Sequence, residues 1–414
     1  MPAQLITPMR LAAGMFHRYC NQMEIVNRWF KGSRPRVVLV LQGGGAMGAY
    51  QAGVYEAMHE HGLTPDWIVG TSIGAVNAAL IAGNEHDRCI ARLKEFWDTV
   101  AKDDLFDMRK VPDELRRLNI RMITCDAVVN GVRGFYSPRP LNPFVLNLPV
   151  PPERASFYDI SDLADTLRRL VNLHYLNAPG DMRLTVSGIQ VTCTRFVNFD
   201  TRHQTINIEH ILASGSLPPG FPPVRVGGEL YWDGGLYSNT PLEVVLNDEP
   251  RVETLCFMVD LWSPEGPEPT TLEQVNTRHK EILYASRSRS HIDNYLRMHK
   301  LRGMVRSLRD KMPPGALSEE ESREIDELGA ETTMHIVELQ YAGRDWQMAS
   351  KDINFSRGSI QWRWEQGYQD ALRVIRQAPW RKDVPEGAGV VLHELVPGVS
   401  ECWPEEQESK IVSR

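Results

Sequence analysis

Residues 37–53 read VVLVLQGGGAMGAYQAG: an apolar run from Val37 to Leu41 ends in glycines and gives way to a helix-forming stretch. From Arg36 onward the pattern is strand, turn, helix, strand, turn, helix, carried by RVVLVLQ (36–42), MGAYQAGVYEAMHEHG (47–62), DWIVG (66–70) and SIGAVNAALIAG (72–83). Short apolar runs alternating with helical stretches predict a parallel sheet covered by helices on both faces. Further strands are expected in RLTVSGIQVTC (183–193) and RVETLCFMVDLW (251–262), with TMHIVELQY (333–341) as a late candidate. Residues 271–328 are charged and helical, and 356–375 are helical again. The proline-rich stretch 141–156 reads as a surface loop, and the Pro-, Gly- and Glu-rich residues after Pro379 as a weakly ordered tail. The expected fold is therefore α/β: three layers, a mostly parallel sheet flanked by helices, with a helical C-terminal elaboration. The expected division is an N-terminal amphipathic helix over 1–35, a core over 36–265, a mainly helical region with one late strand over 266–380, and the tail over 381–414.

Composition narrows the class. With 414 residues, 42% apolar and 24% charged, and a formal charge of −7, the chain reads as an ordinary globular protein without the basicity of a nucleic-acid binder. The six cysteines (Cys20, Cys89, Cys125, Cys193, Cys256, Cys402) lie far apart, which suggests free thiols in a reducing compartment rather than a zinc site or disulfide framework. No apolar run approaches the ~20 residues that span a bilayer. The N-terminal stretch is interrupted by Arg10, His17, Arg18 and Glu24, unlike a signal peptide, so a cytoplasmic chain is expected. Within it Met15, Tyr19, Met23, Val26 and Phe30 recur at near-helical spacing, as in an amphipathic helix that packs on its own domain or lies on a membrane.

Three uses of the glycine turn are open on the residues alone. Gly43, Gly45 and Gly48 fit the Gly-x-Gly-x-x-Gly spacing of a dinucleotide site, after a strand and before a helix. That fingerprint also wants an acidic residue at the end of the second strand to hold a ribose, and Asp66 stands at the start of it. What closes the second strand is Gly70-Thr71-Ser72-Ile73-Gly74, a nucleophile elbow that lifts the serine on a tight turn at a helix N-terminus. If the two turns are neighbours, the N–H groups of Gly44, Gly45 and Ala46 point at a carbonyl oxygen under attack by Ser72, an oxyanion hole. The third use is close helix–strand packing.

A serine nucleophile needs a base. None of the twelve histidines sits in a recognisable turn motif. In LYWDGGLYSNTPLEVVL (230–246) Asp233 precedes Gly234-Gly235, a tight turn that holds its carboxylate rigidly at a strand end. Such an aspartate serves as general base if burial raises its pKa from ~3.9 towards the working pH.

Together these motifs resemble the patatin-like phospholipase family over about Arg36 to Pro264. The resemblance rests on the turn Gly43-Gly44-Gly45-Ala46-Met47-Gly48, the elbow from Asp66 to Gly74, the segment Ala213-Ser214-Gly215-Ser216-Leu217-Pro218-Pro219-Gly220-Phe221-Pro222-Pro223, and Asp233-Gly234-Gly235, in the family's order. It implies that Ser72 is the acyl-enzyme nucleophile, Asp233 its base and the Gly43 to Gly48 turn the oxyanion hole. It further implies hydrolysis of lipid acyl esters without a metal or other cofactor. A hydroxyacyl polyester esterase with the same dyad and a non-catalytic lipid-binding relative are the alternatives. The family usually has arginine or lysine where this chain has Met47, so a charge that would greet an anionic head group is missing.

The C-terminal third resembles the extra region of a bacterial subset of that family. There Leu301, Met304, Val305 and Leu308 form an apolar stripe flanked by Arg297, Lys300, Arg302, Arg306, Arg309 and Lys311. The expectation is a helix packed on the core with its basic face in solvent, the alternative a peripheral contact with anionic lipid. Trp362, Trp364, Tyr368 and Leu372 lie close to helical spacing and read as core packing.

Overall fold

The computed structural model of the chain describes residues 30, 34–107, 111–140, 149–180, 182–313, 316–328, 332–343, 350–384 and 389–394. Nine strands form the main sheet: β1 (Arg36–Leu41), β2 (Trp67–Gly70), β3 (Arg183–Gln190), β4 (Phe196–Asp200), β5 (Val224–Val226), β6 (Glu229–Asp233), β7 (Thr254–Asp260), β8 (Met334–Gln340) and β9 (Val390–Glu394). Their order is β9-β8-β7-β1-β2-β3-β6-β5, with β4 pairing β3. From β9 to β3 every neighbour is parallel, whereas β4, β5 and β6 add an antiparallel edge. The expected α/β sandwich is thus present, with a mixed border.

The strand sequences explain the layering. In β1, Val37, Leu39 and Leu41 enter one apolar cluster while Val38 and Val40 enter another. A strand buried on both faces reads as a continuous apolar run because successive side chains serve opposite layers. The helices that matter to the site are α1 (Ala49–Glu60), α2 (Ile73–Ala82), α3 (Asp113–Asn130), α4 (Leu272–Arg309) and α5 (Arg357–Gln377). On the first face α1 packs against α5, where Tyr50 donates to Asp370 at 2.9 Å, Tyr368 to Glu60 at 2.6 Å and Trp364 to Glu56 at 2.5 Å. Trp362 and Leu372 of α5 are also buried. On the second face lie Leu242–Leu246 and the Tyr295–Leu296 turn of α4.

Three expectations need correction. The sheet crosses the expected boundary at 265/266, since β8 and β9 complete it. Two late strands form, not one, and β9 lies within the stretch read as a weakly ordered tail; its register with β8 pairs Met334 with Val390 and Glu338 with Glu394. A five-residue strand with only three apolar residues, Val390, Val391 and Leu392, carries too little pattern to be recognised without the β8 edge that it satisfies. The stripe on α4 is exposed rather than packed on the core, because Tyr295, Leu296 and the buried His299 face inward instead. Of the expected N-terminal helix, Met15 to Val26 lie outside the described residues, and Phe30 is buried in the main cluster. Cys89, Cys125, Cys193 and Cys256 are free thiols, and no described helix is long and apolar enough to cross a membrane.

At the N-terminal ends of the strands the charges are organised for stability. Asp66 accepts from the Val37 N–H at 2.7 Å and pairs with Arg34 at 2.8 Å, so it ties two strand starts together. Asp248 receives Arg36 at 2.5 Å, Arg183 at 2.7 Å and Arg202 at 3.2 Å, and Arg183 stacks on Trp67 at 3.8 Å from the ring centroid. Removing the Asp248 carboxylate takes away the ion pair of the largely buried Arg36, while Arg183 keeps Asp200 at 2.7 Å. Asp248→Ala is therefore expected to lose about 3–5 kcal/mol, read by denaturant unfolding.

Candidate active site

The glycine turn and the elbow follow adjacent strands, β1 and β2, whose register pairs Leu41 with Gly70. Both turns therefore open at the same edge of the sheet, the usual place for a site in such folds. Ser72 has φ 58° and ψ −126°, a left-handed conformation rare for a residue with a side chain and typical of a strained elbow. Its N–H donates to the Ser214 carbonyl at 3.0 Å, with the Ser214 Oγ at 3.3 Å. A Cβ at Gly74 would lie 2.2 Å from the Leu41 carbonyl oxygen, so only glycine lets the elbow sit this close to β1.

Asp233 ends β6, its own N–H donating to the Ser216 carbonyl at 3.0 Å. The segment quoted above for the resemblance thus holds the backbone of both Ser72 and Asp233, through Ser214 and Ser216. Asp233 is 1% exposed, and its carboxylate accepts from the Gly235 N–H at 2.7 Å. Burial pushes its pKa up to about 7, against the opposing pull of the Gly235 N–H and the Ser72 hydroxyl. Asp260 is also buried and raised to about 7, by burial and by the neighbouring Glu338, but it accepts from Thr240 at 2.7 Å and does not line the cavity.

Ser72 and Asp233 open into a cavity of about 120 Å³. Its walls are apolar, with Ile73, Val76, Leu163, Leu212, Phe221 and Phe355 prominent, and no described histidine lines it. The turn Gly43, Gly44 and Gly45 forms one side. Within the turn, Gly43 N–H donates to the Asn239 carbonyl at 3.1 Å and Met47 N–H to the Gly44 carbonyl at 3.2 Å. The N–H groups of Gly44, Gly45 and Ala46 have no backbone partner among the described residues, whereas those of Gly43 and Met47 do. Gly43 is held from behind as well: its carbonyl accepts from Asn239 Nδ2 at 3.1 Å and Trp262 Nε1 at 2.9 Å. Asn239 and Trp262 lie in stretches that sequence reasoning singles out, 230–246 and 251–262, but their hold on Gly43 is not legible there, because each acts across some two hundred residues of sequence.

The C-terminal region completes the wall. Tyr284 of α4 and Asp352, Ile353 and Phe355 line the cavity. Two ion pairs fasten that segment to α4: Lys280 to Asp352 at 2.8 Å and Lys351 to Glu281 at 2.8 Å. This contact also accounts for Met47. Its side chain is fully buried in the main cluster, and its turn packs against the Lys351–Ile353 turn. A charge at that position would be desolvated rather than offered to a head group.

Gly45, with φ +55°, meets this cover directly: a Cβ there would lie 2.2 Å from the Asp352 carbonyl oxygen. Gly45→Ala should strain the backbone and push the Lys351–Ile353 turn outward, destabilising the chain by about 1–3 kcal/mol, as read by thermal unfolding.

Residues 39–246, half of the chain, match the family model described as patatin-like phospholipase. The chain belongs to the patatin-like phospholipase family. A second model, described as patatin phospholipase, matches residues 282–387, the part of this patatin-like chain that builds the cavity cover. Among similar proteins, an uncharacterized NTE family protein of Mycobacterium tuberculosis (strain CDC 1551 / Oshkosh) is 31% identical over 225 residues, 54% of this chain and 30% of its own length. Lysophospholipase nte1 of Aspergillus terreus is 59% identical over 46 residues, 11% of this chain and 3% of its own. The chain thus spans less than a third of the length of these curated relatives. VipD from Legionella pneumophila aligns over 83% of this chain and 67% of its own, at 14% identity and a TM-score of 0.36.

Proposed function

We propose that the chain is a lipid acyl hydrolase that cleaves acyl esters through a Ser72–Asp233 dyad and an acyl-enzyme intermediate. The observation that carries this reading is that a strained serine and a buried carboxylate with its pKa raised to about 7 line one apolar cavity, beside three N–H groups without a backbone partner among the described residues. Ser72 Oγ attacks the ester carbonyl carbon while its proton passes to Asp233. The carbonyl oxygen, now an oxyanion, is received by the N–H groups of Gly44, Gly45 and Ala46; donors of this kind are worth on the order of 3 kcal/mol each. Collapse expels the alcohol, which takes the proton from Asp233 and leaves Ser72 acylated. A water then gives its proton to Asp233 and attacks the acyl carbon; Ser72 leaves with that proton restored and the acid is released.

The cavity favours the acyl portion of a substrate. Apart from Asp233, the only charged residue among the described ones that line it is Asp352, already paired with Lys280, so no described cation lines it to select a phosphate. Recognition by chain rather than head group fits phospholipids and hydroxyacyl oligomers alike. Release of acid from phospholipid vesicles, set against release from hydroxyacyl oligomers by the same preparation, decides the substrate class. Activity on neither, nor on p-nitrophenyl esters, would leave a non-catalytic lipid-binding protein and overturn the hydrolase reading.

A further inference from the structure

Helix α4 presents a face that the described residues do not cover. Its inner side is set by Tyr295 and Leu296 on the second core cluster and by the buried His299. The outer side carries Met298, Leu301, Met304, Val305, Leu308 and, just past the helix end, Met312; all are exposed, Leu301 at 57% and Leu308 at 65%. At about 100° per residue these fall within about a third of the helix circumference. Lys300 and Lys311 border the arc on one flank, Arg302 and Arg309 on the other, and Arg297 lies within it. From Arg297 to Met312 there are six basic side chains and one acidic, Asp310, in a chain whose formal charge is −7. Leu272, 83% exposed, and Leu283 continue the same side towards the start of the helix. A lone exposed leucine needs no explanation; a continuous apolar arc with a basic border marks an interaction surface.

We propose that this face of α4 docks the chain on an anionic lipid bilayer, the helix lying flat with its apolar arc at the acyl boundary and its basic flanks among the head groups. Charge selects this occupant. A second copy meeting the stripe face to face would set lysines and arginines against their own kind, whereas anionic lipid neutralises them. An amphipathic helix with basic flanks has the chemistry of an interfacial helix. The same helix lines the cavity with Tyr284 and holds Asp352 through Lys280, so the element that meets the lipid is also a wall of the proposed active site.

The test uses the full chain carrying Ser72→Ala, so that vesicles stay intact, in flotation with vesicles of phosphatidylcholine alone or of phosphatidylcholine with phosphatidylglycerol. Binding is expected to the anionic vesicles and not to the neutral ones, and to fall as salt is raised. Each basic residue removed should weaken partitioning about fivefold, and Arg297→Gln with Lys300→Gln and Lys311→Gln together on the order of a hundredfold. Leu301→Ser with Leu308→Ser should also release the chain. With Ser72 present, all of these variants should hydrolyse a soluble p-nitrophenyl ester at the unsubstituted rate, which shows that the fold is kept. Vesicle binding without any ester hydrolysis would sink the hydrolase reading and leave docking intact. Equal binding to neutral vesicles, no binding at low salt, or a dimer that Leu301→Ser and Leu308→Ser convert to monomer would overturn the docking proposal.

Discussion

Ser72→Ala is expected to abolish ester hydrolysis, lowering kcat roughly 10⁴- to 10⁶-fold while leaving the fold intact. Alanine has the same backbone cost at φ 58° as serine, and the two bonds from the Ser72 N–H to Ser214 do not involve the side chain. What is lost is the hydroxyl that lines the cavity with Asp233 and pulls against its raised pKa. Residual hydrolysis in the variant measures what the Gly44–Ala46 amides and the cavity do for attack by water alone. Thermal unfolding of the variant should match the parent chain within about 1 kcal/mol, the usual scale of one hydrogen bond. A variant that keeps full activity rules out Ser72 as nucleophile.

Asp233→Asn should move activity and stability in opposite directions. Asparagine keeps the shape and an acceptor for the Gly235 N–H, but it cannot take the Ser72 proton; loss of a positioned base lowers the rate on the order of 10²- to 10⁴-fold. Burial disfavours the carboxylate, so the folded chain holds the Asp233 proton up to pH about 7, whereas the unfolded chain releases it in the ordinary carboxylate range. Between those values the unfolded state binds fewer protons, so the parent chain loses stability as pH rises, and above about 7 it carries the full cost of the buried charge. The neutral amide of the Asp233→Asn variant carries none of that cost. The variant should therefore melt higher than the parent at pH 8, by an amount on the order of a few kcal/mol, and the gap should close towards pH 4. In the parent, kcat/KM should fall about tenfold per pH unit below about 7 and level off above it, since only the ionised carboxylate accepts a proton. A pH-independent gap, or a rate indifferent to Asp233→Asn, contradicts the assignment.

The parts of the fold legible in the sequence are those with a local cause. Two apolar runs, two glycine-bearing turns and two helices in succession announce β1–α1 and β2–α2, because a left-handed Ser72 and a Gly74 pressed on the Leu41 carbonyl leave their demand in adjacent residues. Asp233 is legible for the same reason, through the turn that follows it. The supports are not. Ser214 and Ser216 lie in a segment that carries the family resemblance, but that they hold the backbones of Ser72 and Asp233, and that Asn239 and Trp262 donate to the Gly43 carbonyl, only the folded topology shows. The burial of Met47 is not legible in the sequence because nothing local says that the Lys351–Ile353 turn comes to rest on its turn. On α4, periodicity reveals two sides but not which faces in: the more apolar arc faces solvent, while Tyr295, Leu296 and His299 take the core. Hydrophobicity alone picks the wrong side when the function of a face is to be buried elsewhere.

The dyad is tested most directly by reacting the full chain with a serine-reactive fluorophosphonate and mapping the adduct by peptide mass spectrometry. The account predicts one adduct, on the peptide that carries Ser72, absent after Ser72→Ala and formed far more slowly after Asp233→Asn. No adduct on the folded chain, or an adduct on another serine such as Ser214 with Ser72 unmodified, would contradict it.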